Sequence, residues 1–439
     1  MDNASSTYSQ EKHFHFAGHD TVALARKYGT PLYVVSEDLI RHKCGEIRRT
    51  FLDRYKGSRA AYASKAFLTM AMCRIIENEG LCLDVVSAGE LYTALQAGFP
   101  GDRIIFHGNN KSLAELQMAV DHQVGRIVVD NVEEVEYIHQ LASEVRRCVC
   151  VQIRLVPEVE AETHRHILTG QKDSKFGIPM NPAIIDTVVD KVMNSPWIEL
   201  KGFHFHIGSN LRDPSVYADA VRKVMALSAR LKKEMNFQLE ELNAGGGFGI
   251  PYQKTDTVLP LSSFTEAIMQ SVAESCREHT MTHPTVIIEP GRWIVGEAGI
   301  TLYTIGTIKN IPGIRVYASV DGGLPDNIRP ALYGAVYDGI IANKNAQEKT
   351  QVVTIAGKCC ETGDILIWDL RTPPIERGDV LAVLTTGAYG ESMSNNYNRM
   401  PRPAVVLLSG DQDRVMIRRE TLEDLLRRER EAPSDERNK

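Results

Sequence analysis

The chain has 439 residues, of which 43% are hydrophobic and 24% charged, and its formal net charge is −6. This length exceeds the usual size of a single hydrophobic core, and the composition is that of an ordinary globular protein, so we expect two domains. No run of Lys and Arg is long enough to follow a phosphate backbone, which argues against nucleic acid as a main partner.

The sequence also argues against export and against membrane insertion. Met1–Phe16 is polar and lacks the apolar segment of a signal peptide, and no apolar run approaches the length of a membrane span. The eight cysteines do not suggest a disulfide framework in a chain this long, and they contain no CxxC pair or zinc spacing. We therefore expect a cytoplasmic protein without a membrane contact.

From about residue 59, short β-branched runs alternate with longer helical patterns, in which apolar residues recur every three to four positions. Eight alternations over ~240 residues are typical of a (β/α)8 or TIM barrel, with an open doubly wound sheet as the alternative. The eight predicted strands are Arg59–Ser64, Leu81–Ser87, Arg103–Gly108, Arg126–Asn131, Cys148–Pro157, Leu200–Ser209, Glu241–Phe248 and Thr285–Arg292.

Beyond about residue 298 the pattern changes to short alternating runs separated by Gly, Pro and Asp, which predicts a mostly β domain. Leu32–Val35, near the N-terminus, is a further strand candidate that could join this domain. The predicted fold class is thus α/β, with a TIM barrel over 40–297 and a β-domain built from 1–39 and 298–439. Its predicted strands are Thr301–Ile308, Arg315–Val320, Gln351–Ala356, Val380–Leu384, Ala404–Leu408 and Asp413–Arg418.

Three features lie at the carboxyl ends of predicted barrel strands, at the rim where TIM-barrel active sites lie. Lys65 follows the first strand, where a desolvated lysine could act as a nucleophile, although a lone lysine is most often at the surface. Gly245–Gly249 could cradle a phosphate or form only a tight turn, and it is not GxGxxG. Glu289 could keep a pyridine ring protonated or be a surface charge. Together they suggest pyridoxal 5'-phosphate (PLP) chemistry.

A metal site is the weaker interpretation of the histidines. His204 and His206 alternate along one predicted strand and so share a face. No third ligand of suitable spacing is evident, and we expect no metal.

Motifs along nearly the whole chain resemble the fold-type III PLP-dependent decarboxylases. The pattern is most similar to the members of that family that act on meso-diaminopimelate. The motifs are, in order, Tyr62–Ala66, Asp84–Leu91, His107–Ser112, Ser174–Gly177, His206–Ser209, Gly245–Gly249, Glu289–Arg292, Arg329–Tyr333, Cys360–Asp364 and Gly387–Tyr389.

The resemblance implies a role for each matching residue. Lys65 is expected to hold PLP covalently, and Cys360 to protonate the α-carbon after CO2 leaves. The expected cofactor-binding residues are Lys65, His206, Gly247, Glu289, Pro290, Gly291, Arg292 and Tyr389. The expected substrate-binding residues are Arg292, Arg329, Tyr333, Glu361 and Tyr389. In this family the residues equivalent to Cys360 and Glu361 reach the partner's site, which implies a homodimer with shared active sites.

The implied reaction is decarboxylation of meso-2,6-diaminopimelate to L-lysine and CO2, the last step of lysine biosynthesis. Two arginines and a glutamate complement the second amino-acid head group of this substrate. The alternatives are a decarboxylase of a related amino acid, a racemase on the same barrel and a non-catalytic regulatory paralogue. Residues that depart from the family pattern, and keep the substrate open, are Asn210, Trp293, Pro325 and Glu391. The polar segment Glu158–Lys175 is a candidate mobile cover.

Overall fold

The computed structural model describes residues 12–159 and 174–430. The chain divides into two compact units, Glu37–Ala298 and a second that joins Met1–Ser36 to Gly299–Lys439. None of the described helices is long and apolar enough to cross a membrane. Most of the predicted cover, Glu158–Lys175, lies outside the described residues.

The N-terminal segment supplies the first elements of the second unit. Asp20 caps the first helix, because its carboxylate accepts hydrogen bonds from the backbone N–H groups of Val22 and Ala23. The elements are β1 His15–Phe16, β2 His19–Asp20, α1 Thr21–Tyr28 and β3 Leu32–Ser36, and β3 is buried along its whole length.

The unit Glu37–Ala298 alternates strands and helices. Its helices are α2 Glu37–Ile47, α3 Met70–Asn78, α4 Ala88–Gln96, α5 Leu113–Asp121, α6 Val132–Glu144, α7 Pro182–Met193, α8 Ser215–Met235, α9 Leu261–Glu278 and α10 Arg292–Val295. Its strands are β4 Arg59–Ala63, β5 Cys82–Val85, β6 Ile104–Phe106, β7 Arg126–Val129, β8 Val149–Val156, β9 Ile178–Pro179, β10 Ile198–Phe205, β11 Glu241–Asn243 and β12 Thr285–Ile288.

Eight of these strands close into a parallel barrel. The order runs β4, β5, β6, β7, β8, β10, β11 and β12, and β12 pairs with β4 through Ile287 with Arg59 and Ile288 with Ala60. The pairing of β10 with β8 completes the ring, and the short β9 lies outside it on β8. The predicted TIM barrel is therefore confirmed, and the open doubly wound sheet is wrong. Because all eight strands are parallel, their carboxyl ends meet at one rim.

The seventh barrel strand is shorter than predicted. The sequence predicts Glu241–Phe248, whereas β11 ends at Asn243. Beyond it, Gly245 and Gly247 have φ of +65° and +104°, a left-handed backbone that cannot continue a strand. The chain therefore turns after β11, and the glycine loop lies at the rim of the barrel.

The second unit is a mixed β-sheet domain with short helices, as predicted. Its sheet order is β17, β16, β14, β13, β3, β19 and β20, with β18 pairing with β13 and β15. The N-terminal β3 lies between β13 and β19, which confirms that it joins this domain. The elements are β13 Gly299–Ile311, β14 Arg315–Val320, α11 Arg329–Tyr333, β15 Gly339–Ile341, β16 Gln351–Ala356, β17 Ile365–Thr372, β18 Val380–Val383, β19 Ala404–Ser409, β20 Gln412–Ile417 and α12 Leu422–Leu426.

Besides the two-residue β1 and β2, two strands of the main sheet of this domain, β15 and β17, were not predicted. β15 has only three residues, Gly339–Ile341, too few to show an alternating pattern. β17 mixes buried Leu366, Ile367 and Leu370 with exposed Trp368, and Asp369 interrupts it with a φ of +51°. Because its buried and exposed residues alternate irregularly, β17 could not be predicted from the sequence.

Candidate active site

Lys65 lies at the carboxyl end of β4, in a single 3-10 turn, Ser64–Ala66. The Ser64 hydroxyl donates to the Glu90 carboxylate at 2.7 Å, which ties this turn to α4. Lys65 is exposed, although the sequence suggested a desolvated position. Its positive charge acts on the carboxyl groups of Asp84 and Glu90 and on His206. The rim therefore places an accessible amine among ionisable groups.

His206 follows the last residue of β10 rather than lying within the strand, as the sequence predicted. Burial, followed by the nearby charge of Lys65, lowers the pKa of His206 well below its usual value. The ring is therefore neutral at pH 7, which suits a side chain expected to stack on a cofactor.

Glu289 is buried just beyond β12 and receives three hydrogen bonds. Its Oε1 accepts from His107 Nε2 at 2.8 Å and from Asn243 Nδ2 at 2.7 Å, and its Oε2 accepts from His204 Nε2 at 3.2 Å. Burial alone would raise the pKa of Glu289, but the two imidazoles hold it well below its usual value. Glu289 is thus an ionised carboxylate in a low-dielectric site, the state required to pair with a protonated pyridine nitrogen.

The three residues His107, His204 and Glu289 have ligand atoms within 4.8 Å of one another, so they could hold a metal ion. This corrects the sequence analysis, which found no third ligand and paired His204 with His206 instead. Burial lowers the pKa of His204 to about 3. Both Nε2 atoms donate to the carboxylate, so neither lone pair is directed at a shared ion. The group fits a clamp on Glu289 better than a metal centre.

The glycine loop after β11 forms a tight backbone cradle. A Cβ on Gly246 would lie 2.0 Å from the carbonyl oxygen of Glu289, and one on Gly247 would lie 2.0 Å from that of Gly208. Among the described residues, nothing accepts a hydrogen bond from the backbone N–H groups of Gly246 and Gly247. Donors without a protein partner in a side-chain-free loop fit a phosphate group, so these residues fit bound PLP.

Gly247→Ala is expected to weaken PLP binding by about tenfold or more, because a Cβ at this left-handed position forces the loop backbone to move. Gly98→Ala is the matched control, since Gly98 also has a left-handed φ, +82°, but its Cβ would meet nothing within 4 Å. Titration of the PLP-free proteins with PLP, followed by absorbance, measures both affinities. Equal affinities in the two variants would count against the cradle.

Arg292 begins α10 and is 8% exposed. Its Nη1 donates to the Tyr252 hydroxyl and its Nη2 to Ser209 Oγ at 2.9 Å. The sequence analysis assigned Tyr252 no role and Ser209 only a place in a motif. Tyr252 carries no local signal, because it lies in a loop and reaches Arg292 only through the tertiary fold.

Trp293, one of the four residues that depart from the family pattern, has a packing role. Its ring is buried and lies under the ammonium of Lys43 on α2, with 4.5 Å from the nitrogen to the ring centroid. Lys43 in turn pairs with Glu297 at 3.0 Å. Trp293 thus packs against α2, whereas the neighbouring Arg292 donates hydrogen bonds to Tyr252 and Ser209.

The other three residues that depart from the family pattern also make identifiable local contacts. Asn210 has a φ of +59°, a conformation that Asn tolerates, and its Oδ1 accepts from the backbone N–H of Ile250 at 3.1 Å. The carbonyl of Pro325 accepts from the backbone N–H of Asn395 at 3.0 Å. Glu391 is partly buried, which raises its pKa, while the charge of Arg402 opposes the shift. None of these contacts involves a predicted site residue.

In the second unit, Arg329 is brought together with two predicted site tyrosines. The guanidinium lies 5.9 Å from the ring centroid of Tyr333 and 5.6 Å from that of Tyr389. Its Nη1 also donates to the Tyr337 hydroxyl at 3.1 Å, a partner that the sequence did not suggest. Arg329 is 7% exposed, so this cation is held in place before any ligand binds.

Cys360 and Glu361 are both exposed, in a turn between β16 and β17. The backbone N–H of Cys360 donates to Asn398 Oδ1 at 2.9 Å, and that of Cys359 to Asp364 Oδ2 at 2.8 Å. Asp364 also accepts from the backbone of Leu324 at 2.6 Å, so the turn has a defined shape. A thiol and a carboxylate are thereby presented at the surface of the chain.

Comparison with known proteins identifies the family. Residues 38–296 match the family described as "Pyridoxal-dependent decarboxylase, pyridoxal binding domain". The chain is 46% identical over 425 residues to a diaminopimelate decarboxylase of Bacillus subtilis, covering 97% of each chain. The chain belongs to the diaminopimelate decarboxylase family. The resemblance drawn from the motifs is therefore confirmed, and the barrel is a pyridoxal-binding domain.

Solved structures agree with membership of the diaminopimelate decarboxylase family. A diaminopimelate decarboxylase from M. jannaschii matches with a TM-score of 0.90 and 34% identity, over 96% of this chain and 97% of that one. A lysine/ornithine decarboxylase from Vibrio vulnificus matches with a TM-score of 0.75 at 21% identity and shares the fold alone.

Proposed function

We propose that this chain catalyses the PLP-dependent decarboxylation of meso-2,6-diaminopimelate to L-lysine and CO2. The observation that carries the proposal is the ionised, buried Glu289 on the same barrel rim as Lys65, in a chain of this family. The structure of the M. jannaschii relative in complex with L-lysine supports the identity of the product. We assign the PLP-binding domain to residues 40–297 and the β-domain to 1–39 and 298–439.

The barrel residues hold the cofactor in this proposal. Lys65 would hold PLP covalently, and His206 would cover its ring. Glu289 keeps the ring nitrogen protonated, so that bound PLP withdraws electrons from the bond to the departing carboxylate. The glycine loop, with Gly247, binds the phosphate by its backbone N–H groups, assisted by Pro290, Gly291, Arg292 and Tyr389.

The remaining residues select the substrate and complete the reaction. Arg292, Arg329 and Tyr333 bind the carboxylate at the end of the substrate that does not react, and Glu361 binds its ammonium. The thiol of Cys360 donates a proton to the α-carbon in place of the lost CO2. Lysine and ornithine lack the second carboxylate, so they would leave arginine donors without their acceptor.

We also propose a homodimer in which Cys360 and Glu361 complete the active site of the partner. Both residues are exposed in the single chain, as residues that contact another subunit must be before assembly. A cytoplasmic location is part of the same proposal.

Purified, PLP-loaded protein is expected to release CO2 from meso-diaminopimelate with a kcat/KM at least about 100-fold above that for L-lysine, L-ornithine or L-arginine. The physical reason is the loss of paired arginine contacts when the second carboxylate is absent. Parallel assays of CO2 release test this, with chiral analysis of each amino acid to detect racemisation. Preference for another amino acid, racemisation, or bound PLP without turnover would each favour one of the alternatives.

A further inference from the structure

The clamp on Glu289 holds both of its carboxylate oxygens. His107 donates to Oε1 and His204 to Oε2, and these two histidines are 4% and 1% exposed. Asn243 adds a second donor to Oε1. A carboxylate bound at both oxygens cannot rotate without losing a hydrogen bond in a buried site.

The two imidazoles also constrain each other. Their ring centroids lie 4.6 Å apart with an interplanar angle of 66°, an edge-on contact that fixes both rings. His107 follows β6 and His204 lies in β10, so the closed barrel brings them together from well-separated strands. The preorganised donors therefore lie within a barrel strand or directly after one.

A second buried carboxyl group, that of Asp84, lies beside the clamp but outside its hydrogen bonds. Asp84 is buried, and its Oδ1 lies 3.7 Å from His107 Nε2. Burial is the main cause that raises the pKa of Asp84, and the charge of Glu289 adds to it. The pKa values of the two neighbouring carboxyl groups are thus shifted in opposite directions, and the group held by both histidines is the one whose pKa is lowered.

We propose that His107 and His204 are positioning residues for Glu289, which keep its carboxylate ionised and oriented toward the ring nitrogen of bound PLP. The proposal rests on the proposed function only in taking that nitrogen as the partner of Glu289. It concerns the binding and the protonation state of PLP, whichever amino acid is decarboxylated.

His107→Leu and His204→Leu are each expected to weaken PLP binding by about tenfold or more, and to change the absorbance spectrum of bound PLP. His107→Gln, which retains a donor near the Nε2 position, is expected to recover most of the lost affinity. The matched control is His139→Leu, which removes a hydrogen bond to Ser195 in the same unit. Its PLP affinity is expected to equal that of the unaltered chain.

A double-mutant cycle separates the positioning role from a packing role. If His107 acts through Glu289, then His107→Leu has little further effect on PLP affinity in a Glu289→Gln background. Equal losses in both backgrounds, or no recovery with His107→Gln, would overturn the proposal. If the unaltered, PLP-bound chain does not act on diaminopimelate, the proposed function is wrong. The effect of the histidine variants on PLP binding would still support the positioning role.

Discussion

Lys65→Ala is expected to lower kcat for decarboxylation by roughly 10³-fold or more, because Lys65 is the only lysine in the described turn Ser64–Ala66 after β4 and supplies the amine that would hold PLP covalently. PLP binding is expected to weaken but to persist, since the glycine loop and Glu289 are unchanged. Borohydride reduction followed by peptide mass spectrometry is expected to locate PLP on residue 65 in the unaltered chain.

Lys56→Ala is the control for this variant. Lys56 is also exposed in the barrel unit, before β4 rather than after it. Its replacement is expected to leave kcat and the labelled peptide as they are. Labelling at a different lysine, or full activity in Lys65→Ala, would show that the resemblance misplaces the cofactor-binding residue.

Cys360→Ala is expected to lower kcat by about 10²- to 10⁴-fold, the usual range for loss of a general acid, with a much smaller change in KM. Cys148→Ala is a matched control, because Cys148 is the other exposed free thiol among the described cysteines. A rise in KM with an unchanged kcat would instead assign Cys360 to substrate binding.

The same variant tests the shared active site. If Cys360 serves the partner subunit, a dimer of one Lys65→Ala chain and one Cys360→Ala chain has one intact site. Random mixing of the two inactive variants then restores about a quarter of the unaltered activity. Co-expression with two affinity tags measures this, and no recovery in purified mixed dimers would place both residues in one chain's site.

The barrel was predictable because its signal is local and repeated. Eight β-branched runs alternate with amphipathic helices, and each of these patterns follows from side-chain periodicity alone. The shared rim position of three features, Lys65, the glycine loop and Glu289, was also predictable, since parallel strands present their carboxyl ends at one rim. The short β15 and the irregular β17 were not, because neither has enough regular alternation to show a period.

The partners of the site residues were much harder to predict. His107 was quoted in a motif but received no role, although its place directly after β6 on the same rim could have marked it. Tyr252 and Tyr337 reach Arg292 and Arg329 from segments that carry no recognisable pattern. The sequence placed His204 beside His206 on one strand face, and it could not show that His204 meets His107 and Glu289, because these residues come from other strands.

The fold class, the family and the residues assigned to the proposed chemistry could be predicted from the amino-acid sequence, because they depend on periodicity and on motifs of adjacent residues. The charge state of Glu289 could not be predicted, because it is set by tertiary contacts. That state depends on donors from β6, β10 and β11, which are far apart in sequence and meet only when the barrel closes. In a buried site, a few ångströms between such groups set the direction in which the pKa of a carboxyl group shifts.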